Sequence, residues 1–135
     1  MLRLPRSLWL GLAWPLAACS APAPAETTLT LVSDRGLVDA DVRFAAPVER
    51  GDNELFVTLR PHAGRGAGAV AAQLLAVDAT MAAHAHEAHA ATIDAAGADF
   101  HATQLDLFMT GRWLVTLELS LGGQTDSLSL PVDVP

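Results

Sequence analysis

The 135-residue chain has no lysine and no tyrosine, and its single cysteine, Cys19, lies close to the N-terminus. These absences leave it poor in reactive groups. Past the leader there is no thiol, which excludes disulfides, a thiolate nucleophile and a thiolate metal ligand. Positive charge is scarce too. Without the leader arginines Arg3 and Arg6, six arginines face fifteen acidic residues, a net of −9. Such a surface repels phosphate backbones and excludes nucleic acid as a partner; it attracts cations, weakly at physiological salt. The carboxylates are scattered and form no catalytic pair. No Gly-x-Ser-x-Gly elbow occurs, and Gly64-Arg-Gly-Ala-Gly68 lacks the Lys-Ser/Thr of a phosphate loop. The chain therefore does not read as an enzyme. The apolar run Leu8–Ala18 is far short of the roughly 20 residues of a spanning helix.

That run has the length of a secretory signal core, and Arg3 and Arg6 precede it. It ends in Leu16-Ala17-Ala18-Cys19-Ser20, which resembles a bacterial lipoprotein lipobox. The resemblance implies a signal peptide over residues 1–18, cleavage before Cys19 and lipidation of its thiol. Acyl chains at a new N-terminus hold a domain at a bilayer. Ser20 behind the cysteine resembles an outer-membrane-directed signal. Ordinary secretion is the alternative, since Ala23-Pro24-Ala25 also has the small-x-small form of a cleavage site. Residues 19–26 form a stiff Pro/Ala tether, and residues 27–135 form one domain. The expected location is the cell envelope, on the periplasmic face of a bacterial membrane.

The domain reads as strands. Thr27–Ser33 and Asp41–Phe44 alternate; Gly51-Asp52-Asn53 turns into Glu54–Arg60, which Pro61 closes. Ala69–Val77 is a buried strand or a short helix, which periodicity does not decide. Thr92–Asp94 is a weak strand. Phe100–Leu107 is a stronger one, with alternation placing Phe100, Ala102, Gln104 and Asp106 on one side and His101, Thr103, Leu105 and Leu107 on the other. Trp113–Leu119 and Ser127–Val134 follow, joined through a Gly122-Gly123 hairpin signal. Ala79–Ala96 is alanine-rich and admits a helical turn. The expected fold is an all-β, immunoglobulin-like sandwich of about seven strands.

The densest chemistry lies in Met81-Ala-Ala-His84-Ala-His86-Glu87-Ala-His89, which holds three of the five histidines. Imidazole and thioether both ligate soft or borderline transition metals. In an extended segment His84 and His86 point to the same side; in a helix His86 and His89 are neighbours and His84 diverges. No regular conformation unites all three, so a turn within Met81–Ala90 is required. Met109, just before the Gly111 turn, supplies a second thioether. Two thioethers with imidazoles suit Cu(I); imidazoles alone suit Cu(II), Zn(II) or Ni(II). Glu87 can ligate or support a ring from behind. Each residue also has a plain reading: the histidines as a solvated loop, Met81 and Met109 as core plugs, His101 as a hydrogen-bonded strand residue, His62 as a loop residue beside Pro61.

Gly51-Asp52-Asn53, Gly68-Ala69-Val70, Met81-Ala82-Ala83-His84, Phe100-His101-Ala102 and Met109-Thr110-Gly111-Arg112-Trp113 occur in that order over residues 51–121. In order and spacing they resemble the YtkA-like family, which is related to FixH. Family members often carry Met-Pro-x-Met or Met-Pro-x-His where this chain has Met81–His84. The resemblance implies a small membrane-anchored or secreted β-sandwich, an extracytoplasmic module that binds copper. FixH is linked to oxidase assembly and copper handling. A copper cofactor held by Met81, His84, His86, His89 and Met109 is therefore the leading expectation. The partners expected with it are the membrane, through the anchor, and a copper-accepting or other envelope protein. A metal-free structural or interaction module is the alternative.

Overall fold

The computed structural model describes residues 27–135 apart from 66–69, 82 and 85. The leader, the lipobox at Cys19 and most of the tether therefore lie outside the described residues. Within them the chain forms β1 (Leu29–Val32), β2 (Val38–Phe44), β3 (Gly51–Pro61), β4 (Gln73–Met81), β5 (His86–Glu87), β6 (Thr92–Ala96), β7 (Asp99–Leu107), β8 (Gly111–Leu121) and β9 (Gln124–Val134). One sheet runs β1-β2-β3-β7-β6, the other β5-β4-β8-β9, and every pairing is antiparallel. Omitting β1 and β5, these orders are those of the immunoglobulin sandwich, four strands facing three. The all-β sandwich expected from the sequence is the fold. The strand count exceeds seven because β5 adds an edge beside β4 and β1 an edge beside β2.

Period-two alternation builds the core. Leu55, Val57 and Leu59 of β3 point inward, as do Trp113, Val115, Leu117 and Leu119 of β8 and Leu128, Leu130, Val132 and Val134 of β9. Of Ala69–Val77, the part from Gln73 onward is strand, where Leu74, Val77, Ala79 and Met81 feed this core from β4, while residues 70–72 lie outside any strand. The helical turn admitted for Ala79–Ala96 does not form among the described residues. Alanine's helix preference is small, and pairing of Thr80 and Met81 with Glu87 and His86 overrides it.

The expected facing of Phe100–Leu107 fails in its second half. Phe100, Ala102, Leu105 and Leu107 are all buried. Asn53 pairs with Leu105 but Leu55 with Ala102, so Thr103 and Gln104 together oppose Glu54. This is a β-bulge, with Gln104 at a φ of 62°. One extra residue shifts the phase and returns both leucines to the core. The Gly122-Gly123 expectation holds: both glycines have positive φ in a two-residue loop between Leu121 and Gln124.

The free edge of β9 is blunted. The Ser127 carbonyl faces outward, where it accepts the Asp34 amide at 2.8 Å. Four residues on, Pro131 faces the same edge with no N–H to offer, so it leaves the β8 pairing intact and spoils the edge for another strand.

Candidate metal centre

One end of the sandwich gathers the C-terminus of β4, the β4–β5 hairpin, the link from Phe108 to Thr110 and the start of β8. Met81 closes β4 with its side chain inward, only 2 % exposed. His86 sits directly opposite Met81 across the β4–β5 pair, and cross-strand partners share a face. Glu87 pairs with Thr80 and so takes the other face. Between the two strands the chain turns tightly, with the His84 amide donating to the Met81 carbonyl at 3.2 Å. A turn therefore forms within Met81–Ala90.

It brings two of the three histidines together. The His84 and His86 ring centres are 6.1 Å apart and tilted by 33°, and both residues are exposed. His86 meets Phe108 edge-on at 5.8 Å, and Phe108 meets Trp113 the same way at 5.3 Å. Trp113 is buried and donates its indole N–H to the Met109 carbonyl at 2.9 Å. His86 therefore rests on a column of aromatic rings rooted in the core.

His89 is carried away from the pair. The Ala88 amide donates to the Ala79 carbonyl at 2.8 Å and the Ala91 amide to Val77 at 2.9 Å, so the chain runs back beside β4 with His89 exposed. Among the described residues no three His, Cys, Asp or Glu side chains are arranged to hold a metal. Met109 packs half-buried against the core. The Met81 methyl lies 3.2 Å from where a Cβ on Gly111 would stand, and Gly111 has a φ of +127°. Glycine is needed there for the backbone turn and for the space the thioether takes.

The remaining histidines are occupied. His62 Nδ1 lies 2.6 Å from Asp39 Oδ1, and His101 Nε2 lies 3.0 Å from Glu54 Oε2. His101 also stacks on Phe56, with ring centres 4.5 Å apart, and the Arg43 guanidinium lies over Phe56 at 4.3 Å. The hydrogen-bonded reading of His101 fits this. By contrast, the rings of His84 and His86 accept or donate no hydrogen bond among the described residues, and their contacts are with aromatic rings. Imidazole nitrogens are ligands for borderline transition metals; a structural zinc site would ordinarily draw on cysteine.

The aromatic column was hidden in the sequence. The grouping of Phe108, Met109 and Trp113 marks a local apolar knot, but nothing in the spacing says that His86 lands on it. That follows from the β4–β8 register, which pairs Thr80 with Leu114 and brings the two strand ends level.

No family model matches the chain, and no curated protein matches it. Among solved structures it is similar to the crystal structure of "as isolated" FetP from uropathogenic E. coli strain F11, recombinantly expressed in the periplasm of E. coli BL21(DE3). That match has a TM-score of 0.47 and 11 % identity, covering 82 % of this chain and 94 % of FetP.

Proposed function

We propose that this protein is a copper-binding module of the cell envelope, of chaperone or oxidase-assembly type, held to a membrane through a lipidated Cys19. The single observation that carries the metal reading is the approach of the His84 and His86 ring centres to 6.1 Å at a hairpin tip, with no hydrogen bond to either ring among the described residues. Met81, Met109 and His89 are the further candidate donors. The resemblance to the YtkA-like and FixH-related domains supports the same role, as does an acidic surface that draws cations. A site at an exposed tip favours release of its metal to a partner over permanent retention.

The test is titration of the protein with copper against a competing chelator. The proposal requires tight one-to-one binding that His84→Ala with His86→Ala abolishes. Unchanged affinity in the double variant overturns it. Anchoring is tested separately by radiolabelled fatty acid, which must enter the wild-type chain and not Cys19→Ser.

A metal-free interaction module is the second reading. It is favoured by Phe108 and Leu114, which are 40 % and 42 % exposed at the same end of the sandwich. It predicts protein purified without metal whose melting temperature copper leaves unchanged.

A further inference from the structure

The strand that receives the tether sets the end of the sandwich from which the tether leaves. β1 pairs Leu29 with Val42 and Val32 with Asp39, which stand level with Val57 and Arg60 of β3. β3 begins at the end that carries His84 and His86, where Gly51 pairs with Leu107 just before the Phe108–Thr110 link. Traced backward through β1, the chain therefore heads toward the histidine end. Thr28 continues that course and borders a groove with Arg43 and Phe56. Phe56 is the middle residue of β3, so each end of that strand lies about 17 Å away at roughly 3.3 Å per residue. Cys19 stands nine residues before Thr28, and nine residues span at most about 31 Å. A straight course carries Cys19 past the histidine end by up to about 14 Å. A course to the opposite end must first reverse. A turn takes about four residues. The remainder, about 17 Å, brings Cys19 only level with Pro61, short of the β1–β2 and β3–β4 connections at that end. We infer that the anchored protein stands with its histidine end on the lipid bilayer, Phe108 meeting the lipid and His84 and His86 held at the membrane surface. The inference rests on the Cys19 anchor proposed above and is independent of the metal.

The surface at that end suits lipid. Phe108, in the β7–β8 link, is 40 % exposed, and Leu114, three residues into β8, is 42 % exposed. The buried Trp113 ring meets Phe108 edge-on at 5.3 Å and supports it from below. Phenylalanine and leucine side chains gain free energy when they enter the boundary between headgroups and acyl chains. Val70 and Leu75 are exposed as well, but they lie before and early in β4, at the end that the tether does not turn to the lipid. Charge selects the kind of bilayer. Near the histidine end the carboxylates of Glu49, Asp52, Asp106 and Asp133 outnumber Arg50 and Arg112. Anionic headgroups repel such a surface, so the bilayer it rests on is a zwitterionic one.

The test uses the full chain as processed and purified from bacterial membranes, reconstituted in vesicles of phosphatidylethanolamine and phosphatidylcholine. Uptake of labelled fatty acid and flotation with the vesicles establish the anchor first. Cys19 is the chain's single cysteine and lipid blocks it, so one introduced thiol takes a donor fluorophore alone. Ala83→Cys places that thiol in the histidine hairpin, and Gln124→Cys places it in the opposite hairpin; both positions are exposed. Energy transfer to an acceptor on the lipid headgroups should be several-fold stronger from position 83 than from position 124. Phe108→Ser and Leu114→Ser should each lower transfer from position 83 while the protein still floats, and Leu114→Ser leaves the Phe108–Trp113 contact intact. Exchanging part of the phosphatidylcholine for phosphatidylglycerol should lower it too. Equal transfer from the two positions, or stronger transfer from position 124, overturns the orientation and leaves the anchor standing. Transfer between labelled copies at position 83 in place of transfer to lipid overturns it as well, since a second copy then covers that end. A chain that takes up no fatty acid and does not float overturns the anchor, and the orientation with it.

Discussion

The two ends of the sandwich are built on opposite principles. At the end that carries the Leu121–Gln124 hairpin, the β1–β2 connection is locked onto β9 through Asp126, a carboxylate only 6 % exposed. Asp126 accepts from the backbone amides of Arg35 at 3.0 Å, Leu37 at 3.3 Å and Ser127 at 2.8 Å. Around it, Arg35 Nη1 donates to the Thr125 carbonyl at 2.7 Å, Ser127 Oγ donates to Asp34 Oδ2 at 2.8 Å, and Ser33 Oγ accepts the amides of Leu37 and Val38. At the other end, His84 in the β4–β5 turn and His86 at the start of β5 are exposed, with their nitrogens unengaged among the described residues. One end spends these polar groups on the fold. The other keeps its donors free and takes its stability from the apolar packing of Met81, Trp113 and Phe108 behind them.

The largest effect expected falls on the lock. Asp126→Ala strips the acceptor from the amides of Arg35 and Leu37, and an unsatisfied buried donor costs about 1 to 3 kcal/mol. A loss of about 3 kcal/mol in urea unfolding is expected, with copper affinity unchanged once the variant is folded. A loss under about 1 kcal/mol would mean that the connection is held by something else and that the contrast between the ends is false. The same carboxylate gives the molecule an acid limit. Burial pushes the Asp126 carboxyl up, but hydrogen bonds from Ser33 and from the Arg35, Ser127 and Leu37 amides together outweigh it and hold the group below its ordinary 3.8. A folded value below the unfolded one adds stability above about pH 4, which is lost as the pH falls through the folded value. Asp41, lowered by hydrogen bonds from Arg60 and Thr30, adds a weaker slope of the same sign from an exposed position. Unfolding curves taken from pH 6 to pH 2 should therefore fall more steeply for wild type than for Asp126→Asn.

The next effect lies behind the histidines. Gly111→Ala forces an L-residue into positive φ and pushes a methyl to 3.2 Å from the Met81 side chain. Strained backbone of this kind costs of order 1 to 3 kcal/mol. The flexible end of Met81 can yield, so a loss of about 2 kcal/mol is expected, with Met81 displaced. The methyl resonance of Met81 should shift on substitution. If it does not, the thioether is not seated against Gly111, and the apolar backing assigned to this end is wrong.

How much of this was legible in the sequence differs between the two ends. Strand identity was readable nearly everywhere, because inward leucines and valines at every second position leave one arrangement that buries them. The two histidines stood out in the sequence as an extended His84-x-His86 pair, but it is a turn at His84 that sets their ring centres 6.1 Å apart. The lock was not. Asp126 is one acidic residue among fifteen, and only the fold brings it to Arg35 and Leu37, some ninety positions away in sequence. His89 is the reverse case. Nearness in sequence suggested a third ligand, but hydrogen bonds from Ala88 and Ala91 to β4 decide where that segment runs. The bulge at Gln104 was invisible because alternation predicts facing only while each residue has one partner.

That bulge supplies a smaller effect and sharpens the contrast. Gln104 is the one non-glycine with positive φ among the described residues, and it lies toward the histidine end of β7. An L-residue in this conformation costs roughly 1 to 2 kcal/mol, offset here in part by the hydrogen bond from Thr92 Oγ1 to Gln104 Oε1 at 2.9 Å. Gln104→Gly relieves the strain, loses that exposed bond and pays glycine's backbone entropy. A net gain of about 0.5 kcal/mol in urea unfolding is expected. A clear loss would mean that the Thr92 bond, rather than leucine burial on either side, holds the bulge in place.

The smallest effect is the one the contrast most depends on. His84→Ala with His86→Ala removes two exposed rings that hold no hydrogen bond among the described residues, so metal-free stability should change by no more than about 0.5 kcal/mol. A destabilisation near that of Asp126→Ala would show that the rings brace the hairpin and are structural, as His101 and His62 are at their carboxylates. Copper then separates the two proteins. A ligand that binds only the folded state stabilises by about 2.7 kcal/mol when present at a hundred times its dissociation constant. The wild-type chain should melt higher with copper and the double variant should not. The fluorescence of Trp113, which touches the pair through Phe108, should respond to copper in wild type alone.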